Sequence, residues 1–272
     1  MPLAIQEDML PGKTALERFE NARALGFAGV EVWGKDLTPR VPELAEAVEQ
    51  TGVVISAVNH GRQGRLLDPD RDERERALAE FRQSVVDGVD LGAAGVILVP
   101  HFNAPTLPDL TPYKSVVQLE YEMLHNHLRT LSDYVYAIGI DLYIEPVNRY
   151  ETHFLNTLAD AVKVRRKIKD HPHVKLTADL FHMAMEEQNT VAALREYAND
   201  LGYIHVADSN RRLPGQGMTD FAAVGVALCE VGYTGWIALE CGRPGHNSDH
   251  APHYMSELPA ALELLRRVGL GN

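Results

Sequence analysis

Short apolar runs rich in β-branched residues alternate with longer amphipathic runs along the whole chain. A strict alternation of strand and helix patterns is typical of a parallel sheet, since each crossover helix returns the chain to the same edge. Eight units in 272 residues favour a closed (β/α)₈ TIM barrel over an open doubly wound sheet. The predicted strands are residues 3–6, 29–33, 53–58, 95–100, 141–146, 174–179, 203–207 and 236–241.

The segments between these runs carry helical patterns. In residues 71–91, apolar side chains recur at three- and four-residue spacing, as one buried helix face requires. Several predicted helices end in a glycine before the next strand, and glycine accepts the left-handed conformation that ends a helix. The predicted helices are residues 15–25, 43–50, 71–91, 115–138, 158–169, 191–199, 221–231 and 253–268.

An open nucleotide-binding sheet would carry a glycine-rich phosphate loop after an early strand. The turns after the first two strands, residues 6–11 and 34–36, have no such loop, and no linker interrupts the chain. We therefore predict one TIM-barrel domain that spans residues 1–272.

The formal net charge of −12 argues against a nucleic-acid partner, because phosphate-backbone binding requires clustered Lys and Arg. The densest basic run, residues 163–167, is predicted to be the solvated C-terminal end of a helix. Cys229 and Cys241 form no CxxC pair, so we expect no disulfide and a reducing cytoplasm. Neither a signal-peptide pattern nor an apolar run of membrane-spanning length is found, so no membrane partner is expected.

Four metal-competent side chains stand at the ends of the last four predicted strands: Glu145, Asp179, His205 and Glu240. The carboxyl ends of barrel strands converge on one mouth, where catalytic side chains lie. One carboxylate at a strand end is ordinarily a cap or a salt-bridge partner. Three buried together without a cation would be destabilised by desolvation and mutual repulsion, and a divalent ion removes that penalty. The four residues therefore predict a metal site.

Three oxygen ligands and one imidazole suit Mn²⁺, Mg²⁺ or Co²⁺ better than a thiolate-preferring ion, and zinc is not favoured. We expect Mn²⁺, with Co²⁺ or Mg²⁺ as alternatives. An octahedral ion with four protein ligands keeps two positions open. A substrate carbonyl and its neighbouring hydroxyl could occupy them.

The segments around these four residues resemble a known family. Ile-Glu-Pro-Val-Asn-Arg-Tyr-Glu-Thr at 144–152, Ala-Asp-Leu-Phe-His-Met at 178–183 and His-Val-Ala-Asp-Ser-Asn-Arg at 205–211 carry most of the likeness, with Pro-Gly-Gln-Gly at 214–217 and the strand at 238–241. They resemble the ketose 3-epimerases of the D-tagatose, D-psicose and 5-keto-L-gluconate type, in the xylose-isomerase-like barrel superfamily. The likeness is specific over residues 140–242 and architectural before that.

The resemblance implies that Glu145, Asp179, His205 and Glu240 are the metal ligands and that Glu145 and Glu240 form an acid/base pair. It implies that three further residues hold substrate oxygens: Glu151, His182 and Arg211. It also implies a sugar or sugar-acid substrate and a dimer or tetramer. Epimerisation next to a carbonyl removes a proton from one face and returns it to the other, which two opposed carboxylates can do. The expected reaction is inversion of C3 beside a C2 carbonyl, through an enediolate.

Other reactions share this fold. A lyase, such as a C-glycoside deglycosidase acting on 3-keto-glycosides or an inosose dehydratase, would abstract the same kind of proton. An aldose–ketose isomerase is a third hypothesis. A DNA-repair endonuclease would need a basic surface, which the charge balance disfavours. A sugar-binding protein without activity would not need two carboxylates beside a metal.

Several residues keep two interpretations from the sequence. His182 is predicted either to pack against the site or to contact substrate, and only the resemblance chooses Arg211 over Arg212. Glu151 is alternatively a helix cap or a partner of Arg149. Packing is the favoured interpretation for two more residues near strand ends, Trp33 and His60.

The chain departs from the family pattern at two positions. Leu180 stands where related epimerases have Thr, and Met218 stands where many have His. Both changes remove polar groups expected near the barrel mouth, so they allow a larger or less polar substrate than a simple free ketose.

Overall fold

The computed structural model describes residues 1–242 and 254–271. Eight parallel strands form a closed barrel in which each strand pairs with its neighbours in chain order, and the first strand pairs with the last. The predicted (β/α)₈ barrel is confirmed. The strands are β1 (Leu3–Gln6), β2 (Gly29–Trp33), β3 (Val54–Asn59), β4 (Gly95–Leu98), β5 (Asp141–Ile144), β6 (Val174–Asp179), β7 (Leu201–Val206) and β8 (Trp236–Leu239).

Helices surround this barrel and return the chain from the end of one strand to the start of the next. Those in the described residues are α1 (Ala15–Leu25), α2 (Val41–Thr51), α3 (Arg71–Asp90), α4 (Val116–Ile138), α5 (Leu158–Lys167), α6 (Leu180–Glu186), α7 (Thr190–Glu196), α8 (Phe221–Glu230) and α9 (Tyr254–Arg267). Position 253, the predicted start of the last helix, lies outside the described residues.

Most predicted elements begin and end within two residues of the observed ones. Helix α6 was not predicted, because its seven residues are too few to show a helical period and follow β6 without a turn. The basic run at residues 163–167 lies in the second half of α5, and its last turn carries Arg165, Arg166 and Lys167, so the predicted helix end is confirmed.

Side-chain caps stabilise the ends of the helices that follow the strands. Ser115 caps α4 by accepting the backbone N–H of Gln118, whose side chain accepts the N–H of Ser115 in return. Thr157 and Asp160 form the same reciprocal pair at the start of α5. Gly139 ends α4 with φ +79°, a conformation that costs glycine little. The caps at Ser115 and Thr157 set where the loops that follow β4 and β5 end.

The core has two parts. The larger part lies between the outer face of the strands and the helices. The smaller part fills the barrel interior, where the rings of Tyr143 and Tyr203 stack at 5.6 Å and the Tyr203 hydroxyl bonds Ser56 at 2.8 Å. Because strand side chains alternate, residues two positions further along face the same interior nearer the mouth. The interior cluster consists of Ala4, Ala57, Ile97, Tyr143, Tyr203 and Ala238.

Cys229 is exposed and Cys241 is buried, and both are free thiols. The helices within residues 1–242 and 254–271 include none that is both long and apolar enough to cross a bilayer.

Candidate metal centre and substrate cavity

The four side chains predicted as metal ligands lie together at the barrel mouth. Glu145, Asp179, His205 and Glu240 are all buried, and one ligand atom from each lies within 4.8 Å of the others. They come from the ends of β5, β6, β7 and β8, and each has the inward orientation of the interior residue two positions before it. The barrel geometry thus brings together residues that are far apart in the chain.

The two carboxylate oxygens of Asp179 have different surroundings. Its Oδ1 caps α6 by accepting the backbone N–H groups of Phe181 at 2.7 Å and His182 at 3.3 Å. Its Oδ2 is buried and has no hydrogen-bond partner among the described residues. The cap therefore decides which oxygen faces the cluster.

His205 lies between the carboxylates. Its Nδ1 is 3.1 Å from Glu145 Oε1 and 3.3 Å from Glu240 Oε2, whereas its Nε2 is 2.8 Å from Glu31 Oε2. A metal-ligating histidine ordinarily donates its second ring N–H to a carboxylate or a carbonyl, which fixes the tautomer. Glu31 matches that partner and is 1% exposed on β2. The geometry assigns Nδ1 of His205 to the cluster.

Two amides hold the carboxylates in place. The Gln6 amide donates to Glu31 Oε1 at 3.0 Å and to Glu240 Oε1 at 2.8 Å. The Asn59 amide donates to Glu31 Oε1 at 3.1 Å. These contacts leave Glu240 Oε2 buried and without a hydrogen-bond partner in the part of the chain that the structure describes.

Sequence reasoning missed Gln6, Glu31 and Asn59. A signal was available, because each is a polar residue two positions after a small residue, respectively Ala4, Gly29 and Ala57, in an otherwise apolar strand. That two-residue period marks the same barrel face as the four predicted ligands.

Burial raises the pKa of Glu240 to about 7, and Asp179 adds to the rise, while His205 and Arg211 oppose it. Burial, followed by the nearby charge of Glu145, also raises the pKa of Asp179. Carboxyls in this setting resist ionisation because burial removes them from water and the neighbouring carboxylates repel one another.

His205 shows the opposite balance. Burial alone would lower its pKa, but Glu31, Glu240 and Glu145 raise that pKa well above its usual value. The positive charge of one imidazole does not offset the negative charges of these carboxylates. The two unpartnered oxygens, of Asp179 and Glu240, and the oxygen-rich donor set fit a divalent cation of the kind that prefers oxygen ligands.

A cavity of about 910 Å³ opens directly above the cluster, and Glu145 and Glu240 form part of its wall. The three residues predicted to hold substrate, Glu151, His182 and Arg211, all line it. The structure thus brings them to the same place as the predicted acid/base pair. Trp33 and His60 line the cavity as well, although packing was the favoured interpretation for both.

His182 is oriented by Asn148. Its Nδ1 accepts from the Asn148 backbone N–H at 3.2 Å and lies 2.7 Å from the side-chain amide, so the ring proton is on Nε2. That Nε2 lies 3.5 Å from Asp179 Oδ2. Burial lowers the pKa of His182 to about 4, so the ring is a neutral N–H donor at the cavity wall.

Arg211 enters the cavity from a strained backbone. Its φ of +62° is rare for a residue with a side chain and is found mainly where the surroundings impose it. The guanidinium lies 4.0 Å from both Glu151 and Glu240 and stacks 5.0 Å over the Phe181 ring. Arg212 is exposed and does not line the cavity. Of these two arginines, Arg211 is therefore the one that lies at the cavity.

Buried Asp208 organises the loop that carries Arg211. Its carboxylate accepts the backbone N–H groups of Ser209, Gly215 and Thr219 at 2.8 to 3.0 Å. Its carbonyl accepts the N–H of Arg211 at 2.7 Å. The loop after β7 is thus built around one carboxylate that does not line the cavity.

Both structural interpretations of Glu151 are wrong. Thr157, not Glu151, caps the next helix, and Arg149 pairs with Glu186 instead. Glu151 pairs with Arg62 from the loop after β3, a residue that carried no sequence signal. Both residues of this pair line the cavity.

The substrate argument drawn from Leu180 and Met218 is also wrong. Leu180, the first residue of α6, is fully buried in the core, and Met218 is 92% exposed in the loop after β7. Neither side chain lines the cavity. The presence of Leu and Met at these positions, where related epimerases have Thr and His, therefore does not change the polarity of the substrate site.

In TIM-barrel enzymes, the active site is built from side chains of several strands at the carboxyl mouth of the barrel. This chain has the same arrangement, with ionisable side chains from four successive strands. Within that class it belongs to the xylose isomerase-like TIM barrel family, whose family model matches residues 19–267.

Three relatives make the likeness more specific. The chain is 31% identical over 244 residues to 3-dehydro-D-guloside 4-epimerase of Escherichia coli K12, covering 88% of this chain and 92% of that protein. It is 28% identical over 231 residues to D-psicose 3-epimerase of Ruminiclostridium cellulolyticum, covering 81% and 76%. The apo crystal structure of E. coli 3-keto-D-glucoside 4-epimerase matches with a TM-score of 0.86 and 28% identity, covering 98% and 99%. The resemblance to sugar epimerases is confirmed.

Proposed function

We propose that this protein is a metal-dependent epimerase that inverts the carbon next to the carbonyl of a keto sugar. One observation carries the proposal. Glu145 and Glu240 both face the cavity and both belong to the metal-competent cluster, but they come from β5 and β8, which do not adjoin in the barrel. A substrate seated above the cluster would meet a carboxylate on each side.

The chain's own residues would divide the proton chemistry. One of the two carboxylates removes the proton beside the carbonyl, and the other returns a proton to the opposite face. The raised pKa of Glu240 suits a group that must both hold and release a proton near neutral pH. When bound by Glu145, Asp179, His205 and Glu240, a divalent cation would supply positive charge beside the enediolate oxygens.

The residues on the cavity wall would position the substrate. The neutral His182 ring donates from Nε2, and the Arg211 guanidinium presents fixed N–H donors, so both suit a carbonyl or hydroxyl oxygen. The Glu151 carboxylate accepts a hydrogen bond and suits a hydroxyl proton. Arg62 lines the same cavity and would hold the Glu151 carboxylate in place through their ion pair.

The size of the cavity favours a substrate larger than a free ketose. At about 910 Å³ it lies near the upper end of the about 300–1,000 Å³ usual for small-molecule sites. The E. coli relatives act on a 3-dehydro-guloside and a 3-keto-glucoside. We therefore propose a 3-keto-glycoside inverted at C4 as the first substrate class, and a ketose or keto-sugar acid inverted at C3 as the second.

Turnover in D₂O tests this reaction. We expect deuterium at the carbon beside the carbonyl, with the carbonyl position and the carbon skeleton unchanged, because the proton returns from a solvent-exchangeable carboxyl. NMR of a panel of 3-keto-glycosides, ketohexoses and keto-sugar acids would locate the label. A relocated carbonyl would identify an isomerase, and release of water or an aglycone would identify a lyase. Either result alone would contradict the proposal.

Replacing Glu31 by Gln is expected to weaken binding of Mn²⁺ by about 10–100-fold. The substitution keeps the shape of the side chain but removes the charge that orients the His205 ring. Calorimetric titration of the stripped protein would measure the change, with the exposed substitution Glu263→Gln as the matched control. Unchanged affinity in Glu31→Gln would show that Glu31 does not position the histidine.

A further inference from the structure

A second group of metal-competent side chains lies between the loops that follow β4 and β5. His101 follows β4, His153 precedes α5, and Glu120 projects from the second turn of α4. One ligand atom from each residue lies within 4.8 Å of the others. The two imidazole rings meet edge to face, with their centroids 4.9 Å apart. None of the three belongs to the site described above.

The Glu120 carboxylate is the buried member of this group. Its side chain is 0% exposed, and its Oε2 lies 2.7 Å from Nε2 of His153. Its other oxygen, Oε1, is buried and has no hydrogen-bond partner among residues 1–242 and 254–271. A proton on His153 would give Glu120 Oε2 a hydrogen bond. It would leave Glu120 Oε1 without one among the described residues, and it would not explain why His101 lies beside them.

Both histidines use their Nδ1 atoms for outer contacts. His153 Nδ1 is 3.2 Å from the Asn103 carbonyl, and His101 Nδ1 is 3.4 Å from the Thr152 hydroxyl. With a proton on Nδ1, neutral His153 presents the Nε2 lone pair to the Glu120 carboxylate. A cation between these two atoms makes that arrangement favourable. A carbonyl that accepts from the second ring nitrogen is the usual support of a metal-ligating histidine.

We propose that His101, Glu120 and His153 bind a zinc ion through one imidazole nitrogen from each histidine and one carboxylate oxygen. Two imidazoles and one carboxylate form a donor set that zinc takes in proteins, with a fourth position left for water. This set differs from the three carboxylates and one imidazole at the barrel mouth, which suit Mn²⁺ or Mg²⁺. His101 also lines a neighbouring cavity of about 320 Å³.

Zinc at this position would join two loops that already touch. The Asn103 N–H donates to the Glu151 carbonyl at 2.6 Å, and Asn103 forms a β-bridge with Thr152. The ion would add a link between His101 on the first loop and His153 on the second, and would anchor both to α4 through Glu120. It would therefore hold the backbone of Glu151 at the rim of the larger cavity.

Zinc stoichiometry tests the site. The full chain without a polyhistidine tag, stripped by chelation, is dialysed against micromolar Zn²⁺, and bound zinc is measured by elemental analysis. We expect wild type and the control His171→Ala to bind one more zinc per chain than His101→Ala and Glu120→Gln. His101 is only half-buried and lies in a loop, so His101→Ala tests the site even if Glu120→Gln fails to fold. Equal zinc content in wild type, His171→Ala and His101→Ala would overturn the proposal.

Co²⁺ separates this site from the barrel mouth. In Asp179→Asn, which lacks a predicted ligand of the mouth cluster, we expect Co²⁺ to retain the visible absorption of a four-coordinate ion. Adding His101→Ala to that variant is expected to remove the absorption. Zinc is also expected to slow amide hydrogen exchange in residues 101–104 and 150–154 of wild type but not of His101→Ala. An absorption that persists in the double variant would contradict the assignment, whatever the fate of the proposed epimerase reaction.

Discussion

Prolonged chelation is expected to abolish turnover, and Mn²⁺ or Co²⁺ is expected to restore it. The physical reason is the charge balance at the barrel mouth, where Asp179 Oδ2 and Glu240 Oε2 are buried without hydrogen-bond partners among the described residues. Without a cation, burial keeps the pKa of Glu240 raised, and no positive charge faces the oxygen that becomes an enediolate. The measurement is kcat on the best substrate of the panel against metal content per chain.

The control must distinguish the two metal sites. His101→Ala removes a ligand of the proposed zinc site and leaves the mouth cluster intact, so its activity should show the same loss on chelation and the same recovery. Circular dichroism of the stripped protein is expected to be native, because the hydrophobic core between strands and helices does not include the cluster. Full activity in a preparation shown to be metal-free would disprove metal dependence.

Replacing Glu240 by Gln is expected to lower kcat by about 10²–10⁴ at saturating metal, the usual contribution of one general acid or base. Gln keeps the volume of the side chain and can still accept from the Gln6 amide, but it cannot take up and release the substrate proton. Asp179→Asn should behave differently. Its main loss is metal affinity, since Asp179 does not line the cavity, and most of kcat should return when metal is added in excess.

Saturation with metal is essential to this comparison, because Glu240→Gln also removes a charge from the cluster. Calorimetry on each variant sets the required metal concentration, and exposed Glu263→Gln controls for a Glu-to-Gln change elsewhere. Deuterium exchange into substrate under single-turnover conditions should fall in parallel with kcat. Wild-type turnover by metal-loaded Glu240→Gln would remove Glu240 from the acid/base pair.

Particular residues show how far the sequence could predict this protein. The strands at Leu3–Gln6, Gly29–Trp33 and Val174–Asp179 were predicted to the residue, because each is a short apolar or alternating run bounded by residues of different pattern. Helix α6 was missed, since it follows β6 directly, with no turn to mark its start. The four cluster residues were predicted from their position at strand ends, whereas Glu31 was overlooked because it lies in mid-strand rather than at an end.

The sequence by itself determined the barrel and the residues at its mouth, because alternation and strand-end position are local patterns that eight parallel strands convert into one geometry. Only the tertiary structure decided how those residues are used. The cap on α6 assigns one oxygen of Asp179 to the helix and the other to the cluster. Contact with Glu31 turns His205 so that Nδ1 faces the carboxylates. The tertiary structure also showed that Leu180 and Met218 lie away from the cavity. Such contacts join residues far apart in the chain, and their distances depend on how the strands and loops pack, which no local pattern records.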